Sequence, residues 1–151
     1  MASWLFRANP KQPNDKKNKN GFPGYRTIDA FTELPNHELD WENSTNLPVK
    51  VNDIVYIYVT APASQIQVKA IVTKENTLLE RIDDEKYQLK DGLDEAWYAS
   101  QTVAETFRLK LFAFPTHPEN LKFKDLTALG LQVIRSGSLN DTQVNAIEQQ
   151  F

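Results

Sequence analysis

Trp4, Phe6, Trp41, Tyr56, Tyr58 and Trp97, interleaved with Arg7, Asn9, Ser44, Asn46 and Thr60, are the side chains of this sequence best suited to chemistry on a flat ligand. An aromatic face stacks on a base for roughly 1 to 3 kcal/mol, and a neighbouring amide or hydroxyl can read the base's hydrogen-bonding edge. Aromatics at strand spacing also fill cores, so stacking and burial leave the same trace in one dimension. Arg7, Lys11, Lys16, Lys17 and Lys19 are candidates for phosphate contacts, with a solvated polar loop as the alternative reading of the lysines.

Other chemistry lacks its residues. The chain of 151 residues has no cysteine, which removes disulfides, thiolate metal sites and thiol nucleophiles, and its two histidines, His37 and His117, are too few for a multi-histidine metal centre. The five glycines form neither G-x-G-x-x-G nor G-x-x-x-x-G-K, and no G-x-S-x-G elbow accompanies His117, which sits between Thr116 and Pro118. Asp83, Asp84 and Glu85 read as a solvated surface rather than a carboxylate site. No cofactor is implied. No apolar run approaches the roughly 20 residues of a membrane span, so a cytoplasmic protein is expected. The net charge of −3 hides an asymmetry. Six cations against Asp15 give residues 1 to 26 a charge of +5, leaving −8 on the remainder. A basic strip on an acidic body can meet phosphates locally.

Positioning these residues requires a small domain of about this length, with 40% hydrophobic and 25% charged residues. Ser3 to Asn9 reads as a strand ended by Pro10, and the polar, Pro- and Lys-rich stretch that follows reads as a mobile basic loop at about 11–26. Thr27 is a reasonable N-cap for a short helix burying Ile28, Phe31 and Leu34, followed by Trp41 and a polar link. Val51 to Thr60, dense in β-branched and aromatic residues, reads as a strand covered on both faces. Ala61 to Ser64 turns it into a second strand, Gln65 to Thr73, which places Ile66, Val68, Ala70 and Val72 on one face. Glu75 to Glu95 holds eight acidic residues against three basic and reads as a solvated connection. Ala104 to Phe114 is again a strand, with Phe107, Leu109, Leu111 and Ala113 on one face. The C-terminal part reads helical, through Phe123, Leu126 and Leu129 before Gly130, then Val144, Ile147 and Phe151 after an Asn140 or Asp141 cap.

Trp41-Glu42-Asn43-Ser44-Thr45-Asn46, then Val51 to Val59 with Ala61-Pro62, resemble EVE domains of the PUA-like superfamily, particularly a bacterial branch of small stand-alone or restriction-associated proteins. The opening Trp4-Leu5-Phe6-Arg7-Ala8-Asn9-Pro10-Lys11, the run Ile66 to Val72 and the closing Leu126-Thr127-Ala128-Leu129-Gly130-Leu131-Gln132 fit the same pattern. The resemblance implies an α+β fold across residues 1–151: a PUA-like mixed β pseudo-barrel of five or six strands with flanking helices, and a pocket beside the first helix. It implies a nucleic-acid-binding module, without enzymatic activity, that recognises a modified base in DNA or RNA, such as modified cytosine in DNA, alongside a possible restriction or modification partner protein. Carried onto this chain, the base-binding pocket would be Phe6, Asn9, Trp41, Ser44, Tyr58 and Thr60, with Trp41 the stacking platform and Asn9, Ser44 and Thr60 the edge contacts.

Two departures stand out. Asn52 occupies a turn position where many EVE domains carry glycine, a substitution that the tolerance of Asn for left-handed backbone permits. Lys11 to Arg26 is longer than usual, which bears on the pocket rim. A rival reading comes from the neighbouring ASCH group, whose amidohydrolases act on modified nucleosides with lysine, threonine and glutamate; Lys69, Thr60 and Glu105 are the candidates here. A third makes the protein an accessory subunit whose exposed aromatics meet a partner.

Overall fold

The computed structural model describes residues 2–8, 27–42, 47–60, 63–78, 105–132 and 136–151. They form one mixed sheet flanked by short helices. In chain order the elements are β1 (Ser3–Ala8), α1 (Thr27–Glu33), β2 (Glu38–Glu42), β3 (Ile54–Val59), β4 (Gln65–Leu78), β5 (Glu105–Ala113), α2 (Phe123–Ala128), β6 (Gly137–Ser138) and α3 (Asp141–Glu148). The strands lie in the order β2-β5-β4-β3-β1-β6. β1 runs parallel to β3 and every other pair is antiparallel. Among the described residues no helix is long and apolar enough to cross a membrane.

The sheet rolls on itself. β1 and β2 stand four strands apart, about 19 Å in a flat sheet at ~4.8 Å per strand. Yet the Phe6 ring on β1 lies 6.0 Å from Trp41 on β2, and 5.8 Å from Phe107 on β5. Only a curled sheet brings these rings together, which is the pseudo-barrel that the resemblance implied. Its interior holds Phe6, Ala8, Val55, Ile57, Val59, Val68, Ala70, Val72, Phe107 and Leu109, and Phe31 of α1 and Leu34 just after that helix pack into the same cluster. The outer face of β1 and β3 carries Leu5, Tyr56 and Tyr58, buried with Leu121, Leu126 of α2 and Ile147 of α3.

The continuous apolarity of β3 thus has the meaning read from it: both faces are buried, inward against the barrel and outward against helices. The hairpin with β4 also forms, but one face of β4 differs from expectation. Ile57 pairs with Val68 while the next residue, Tyr58, pairs with Ile66, so Gln67 is an extra residue in a β-bulge. The bulge reverses the alternation, and Ile66 joins the outer cluster while Val68, Ala70 and Val72 stay inside. β4 also continues to Leu78, beyond the expected end at Thr73.

Trp41, expected to follow the helix ahead of a polar link, lies on β2, a strand not read from the sequence, whose Leu39 and Trp41 alternate inward. Asn52 adopts φ 73°, the left-handed value its turn requires. Phe123, expected on the buried face of a helix, is 51% exposed. Its N–H donates to the Ser64 carbonyl at 2.9 Å, which fixes the first turn of α2 at the β3–β4 turn with only Leu126 of the helix buried. Asn140 caps α3 as read, its carboxamide oxygen accepting from the Gln143 N–H at 2.9 Å while the Gln143 side chain accepts from Asn140 N–H at 3.0 Å.

Candidate functional site

The two parallel strands end side by side. Ala8 pairs with Val59, and the Thr60 N–H donates to the Ala8 carbonyl at 3.0 Å, so the carboxyl ends of β1 and β3 share one rim of the barrel. Parallel sheets elsewhere place ligands beyond this end, where chain reversals leave a crevice. Residues 9–26 connect this rim to α1. Trp41 lies close by. Its ring, partly buried, tilts by 32° over Phe6, two residues (about 7 Å) before the end of β1. Thr60, also partly buried, continues β3 past that rim.

Phe6 itself is 2% exposed and enclosed by Trp41 and Phe107. It is a backing for the Trp41 ring rather than a surface a ligand can touch, which corrects its assignment as pocket lining. Tyr58 departs further. Strand alternation turns Ile57 and Val59 into the barrel and Tyr58 outward, where it is 3% exposed among Ile66, Leu121 and Leu126. Tyr58 and Trp41 therefore lie on opposite faces of the sheet and cannot line one pocket. Arg7 is exposed on that outer face, opposite Tyr58 in register, and its N–H donates to Ser136 Oγ at 3.0 Å. Asn9, Ser44, Lys11, Lys16, Lys17 and Lys19 lie outside the described residues, as do Trp97 and the Asp83 to Glu85 run.

The residues of the rival reading do not converge. Lys69 forms an ion pair with Glu148 at 2.5 Å and lies over the rings of Phe112 (4.8 Å) and Phe151 (5.9 Å). It pairs across the sheet with Ala113, at the end of β5, whereas Glu105 opens that strand eight residues away. That separation is on the order of 25 Å at ~3.3 Å per residue. Thr60 lies four residues beyond Tyr56, the partner of Lys69 on β3, or about 13 Å. His117 is exposed beside Glu119 at 3.3 Å, and His37 Nδ1 donates to the Phe31 carbonyl at 3.0 Å.

Two polar clusters escaped the sequence reading. Asp53 is buried, and its carboxylate accepts from Ala2 N–H (3.0 Å), Trp4 Nε1–H (2.9 Å) and Lys50 N–H (2.9 Å). Burial alone would raise its pKa, but the donors at Trp4, Ala2 and Lys50 together hold it below the ordinary carboxylate value. On the outer face, Glu148 of α3 accepts from the Tyr56 hydroxyl as well as from Lys69. Burial and the adjacent Glu148 carboxylate push the Tyr56 phenol far up. Burial opposes ionisation of Glu148, yet Lys69 and Tyr56 hold its carboxyl below the usual range. This cluster fastens α3 to the sheet.

Neither a family model nor a curated protein matches the chain. Solved structures do. The human THYN1 protein, in complex with DNA containing 5-methylcytosine, is similar with a TM-score of 0.63 at 10% identity, over 99% of this chain and 98% of that one. A protein from Pseudomonas putida gives 0.59 at 12% identity over 99% of both chains. The ASCH protein from Zymomonas mobilis gives 0.58 at 13% identity, over 98% of this chain and 94% of that one. Agreement over the whole chain at such low identity is agreement in fold: the rolled six-stranded sheet with its few helices is the α+β fold of PUA-like proteins.

Proposed function

We propose that this protein is a nucleic-acid-binding module of the EVE branch that takes a modified base, such as a modified cytosine in DNA, onto the Trp41 ring at the common end of β1 and β3. The observation that carries the proposal is the Trp41 ring: only partly buried, close to the rim, and packed against buried Phe6, 6.0 Å away. Taking a base out of a stack costs a few kcal/mol, which one aromatic face and two or three edge contacts recover. Thr60 at the rim and Asn9 and Ser44 nearby in sequence supply neutral donors and acceptors for that edge. Arg7 and the lysines at 11, 16, 17 and 19 meet the flanking phosphates. The full-chain likeness to THYN1, which was solved with 5-methylcytosine-containing DNA, supports this reading. The protein acts by binding rather than turnover, in the cytoplasm, alongside a restriction or modification partner.

Anisotropy of labelled oligonucleotides tests the proposal. Single- and double-stranded probes carrying cytosine, 5-methylcytosine or 5-hydroxymethylcytosine are titrated with the protein and with Trp41→Ala. Tighter binding of one modified probe, weakened about 5- to 100-fold in the variant, is expected from the loss of one stacking face. Equal affinity for all probes overturns the proposal. The likeness to the ASCH protein favours a second reading, a nucleoside amidohydrolase, for which release of acid from an acylated cytidine is the direct assay.

A further inference from the structure

Trp41 and the rim beside it belong to different edges of the sheet. β2 ends the strand order and is bonded to β5, whereas β1, which carries the rim, is bonded to β3 and β6. Among the described residues no ladder joins β1 to β2, and side chains cross the gap: the Phe6 ring of β1 lies 6.0 Å from Trp41 and 5.8 Å from Phe107. Trp41 and Phe107 are themselves direct partners across β2 and β5. We propose that Phe107 is a positioning residue that, with Phe6, sets the orientation of the Trp41 ring for its ligand, an inference that rests on the base-binding proposal above.

Phe107 acts only through its neighbours. It is 2% exposed, so a ligand cannot reach it. Directly opposed residues of an antiparallel pair stand on one face with their Cβ atoms about 5 Å apart, so the Phe107 ring limits where the Trp41 indole can lean. Phe6 meets both rings at nearly the same tilt, 32° to Trp41 and 31° to Phe107, and so seats against the pair rather than on one member. Tilted rings at this separation attract one another. A strand side chain has two common χ1 settings, and packing against two fixed rings selects one of them for a partly buried indole.

The backbone alone does not fix this arrangement. The β4–β5 register shifts between Val72 and Lys74 and again between Lys74 and Thr77, which face Arg108 and Thr106 on either side of Phe107. Such irregularities re-aim side chains, and they gather at barrel rims and beside functional sites. Cutting Phe107 back leaves a space into which the Trp41 ring can turn, and apparent affinity then falls with the fraction of molecules whose ring stays in place.

Fluorine NMR of the full-length protein labelled with 5-fluorotryptophan reads the ring directly, since the three tryptophans give separate resonances and Trp41→Phe identifies the one that matters. In the free wild type the Trp41 resonance is expected as one line, the mark of a ring already set, and this reading needs no variant to fold. Phe107→Leu is expected to shift or split that line and to weaken binding of the preferred modified-cytosine oligonucleotide about tenfold, as when a tenth of the molecules hold the ring in place. Ile147→Val, a small truncation in the core cluster on the other face of the sheet, is expected to leave both the line and the affinity at their wild-type values. Two Trp41 lines in the free wild type, of which the oligonucleotide selects one, overturn the positioning role alone. So does a folded Phe107→Leu protein that keeps either the wild-type line or the wild-type affinity, and so does an Ile147→Val protein that loses as much affinity. A wild type that prefers none of the modified oligonucleotides overturns the positioning role and the base-binding proposal together.

Discussion

A carboxylate only 4% exposed to solvent, with three N–H donors aimed at it, is held ionised by its neighbours, and Asp53 uses that arrangement to fasten the first strand to the turn before β3. Its folded-state pKa lies below the ordinary value of about 4. The corresponding stability is therefore fully present above that ordinary value and is lost as the pH falls through the lowered one. Asp53→Asn is expected to lower stability at pH 7 by about 1 to 3 kcal/mol, because its amide replaces an acceptor oxygen with a donor facing donors. It should also flatten the acid side of the stability profile, and urea midpoints from pH 7 down to pH 3 would show both. An Asp53→Asn protein with the wild-type acid limb would assign that limb to other groups. Asp53 was illegible in the sequence because two of its three donors come from residues 49 and 51 positions away. Which face each aromatic takes was not legible: only the structure separates the partly buried Trp41 from Phe6 packed behind it and from Tyr58 on the far face.

Elements were readable where local chemistry determines them. Of the run Val51 to Thr60 read as a strand, Ile54–Val59 forms one, Phe31 of α1 and Leu34 just after it are buried, and Asn140 caps α3, each determined within a few residues. Non-local choices were not readable. β6 has two residues and exists only because Trp4 and Leu5 offer it an edge. The Gln67 bulge depends on what lies on each side of β4: the barrel wants Val68, Ala70 and Val72, whereas the layer under α2 and α3 wants Ile66. Uninterrupted alternation could satisfy only one of them. Deleting Gln67 should therefore cost about 3 to 5 kcal/mol, in the range of losing a large buried side chain, since register and burial can no longer both be kept. Replacing Gln67 with alanine keeps the extra residue and should cost under ~0.5 kcal/mol, as a surface substitution does. Denaturant unfolding of the two variants compares residue count with residue type, and similar losses for both would mean that the Gln67 side chain, not the bulge, holds the register.

At the scale of the whole molecule, the proposed function makes charge the factor that sets how strongly a nucleic acid would be held. The segment 1–26 carries +5 and the remainder −8, so attraction to phosphates is confined to one end of the chain while the body repels them. The five proposed phosphate contacts, Arg7, Lys11, Lys16, Lys17 and Lys19, set the counterions released by the proposed mode of binding. With a slope of about −0.7 per contact on a single strand, log affinity against log salt should be no steeper than about −3.5, or roughly 100-fold between 50 and 200 mM. Changing the four lysines to alanine should flatten that slope towards about −0.7, the share left to Arg7. The ratio of affinities for modified and unmodified base should not change, because phosphate contacts position a ligand while base contacts specify it. Titrations at four salt concentrations separate the two roles. A lysine variant whose slope stays at the wild-type value would place the phosphate contacts elsewhere, and one that loses its preference for the modified base would mean that the lysines shape the pocket itself. On the proposed function, division of labour between a basic segment that attracts and a neutral aromatic rim that discriminates would permit a protein of net charge −3 to read a base without binding every polyanion it meets.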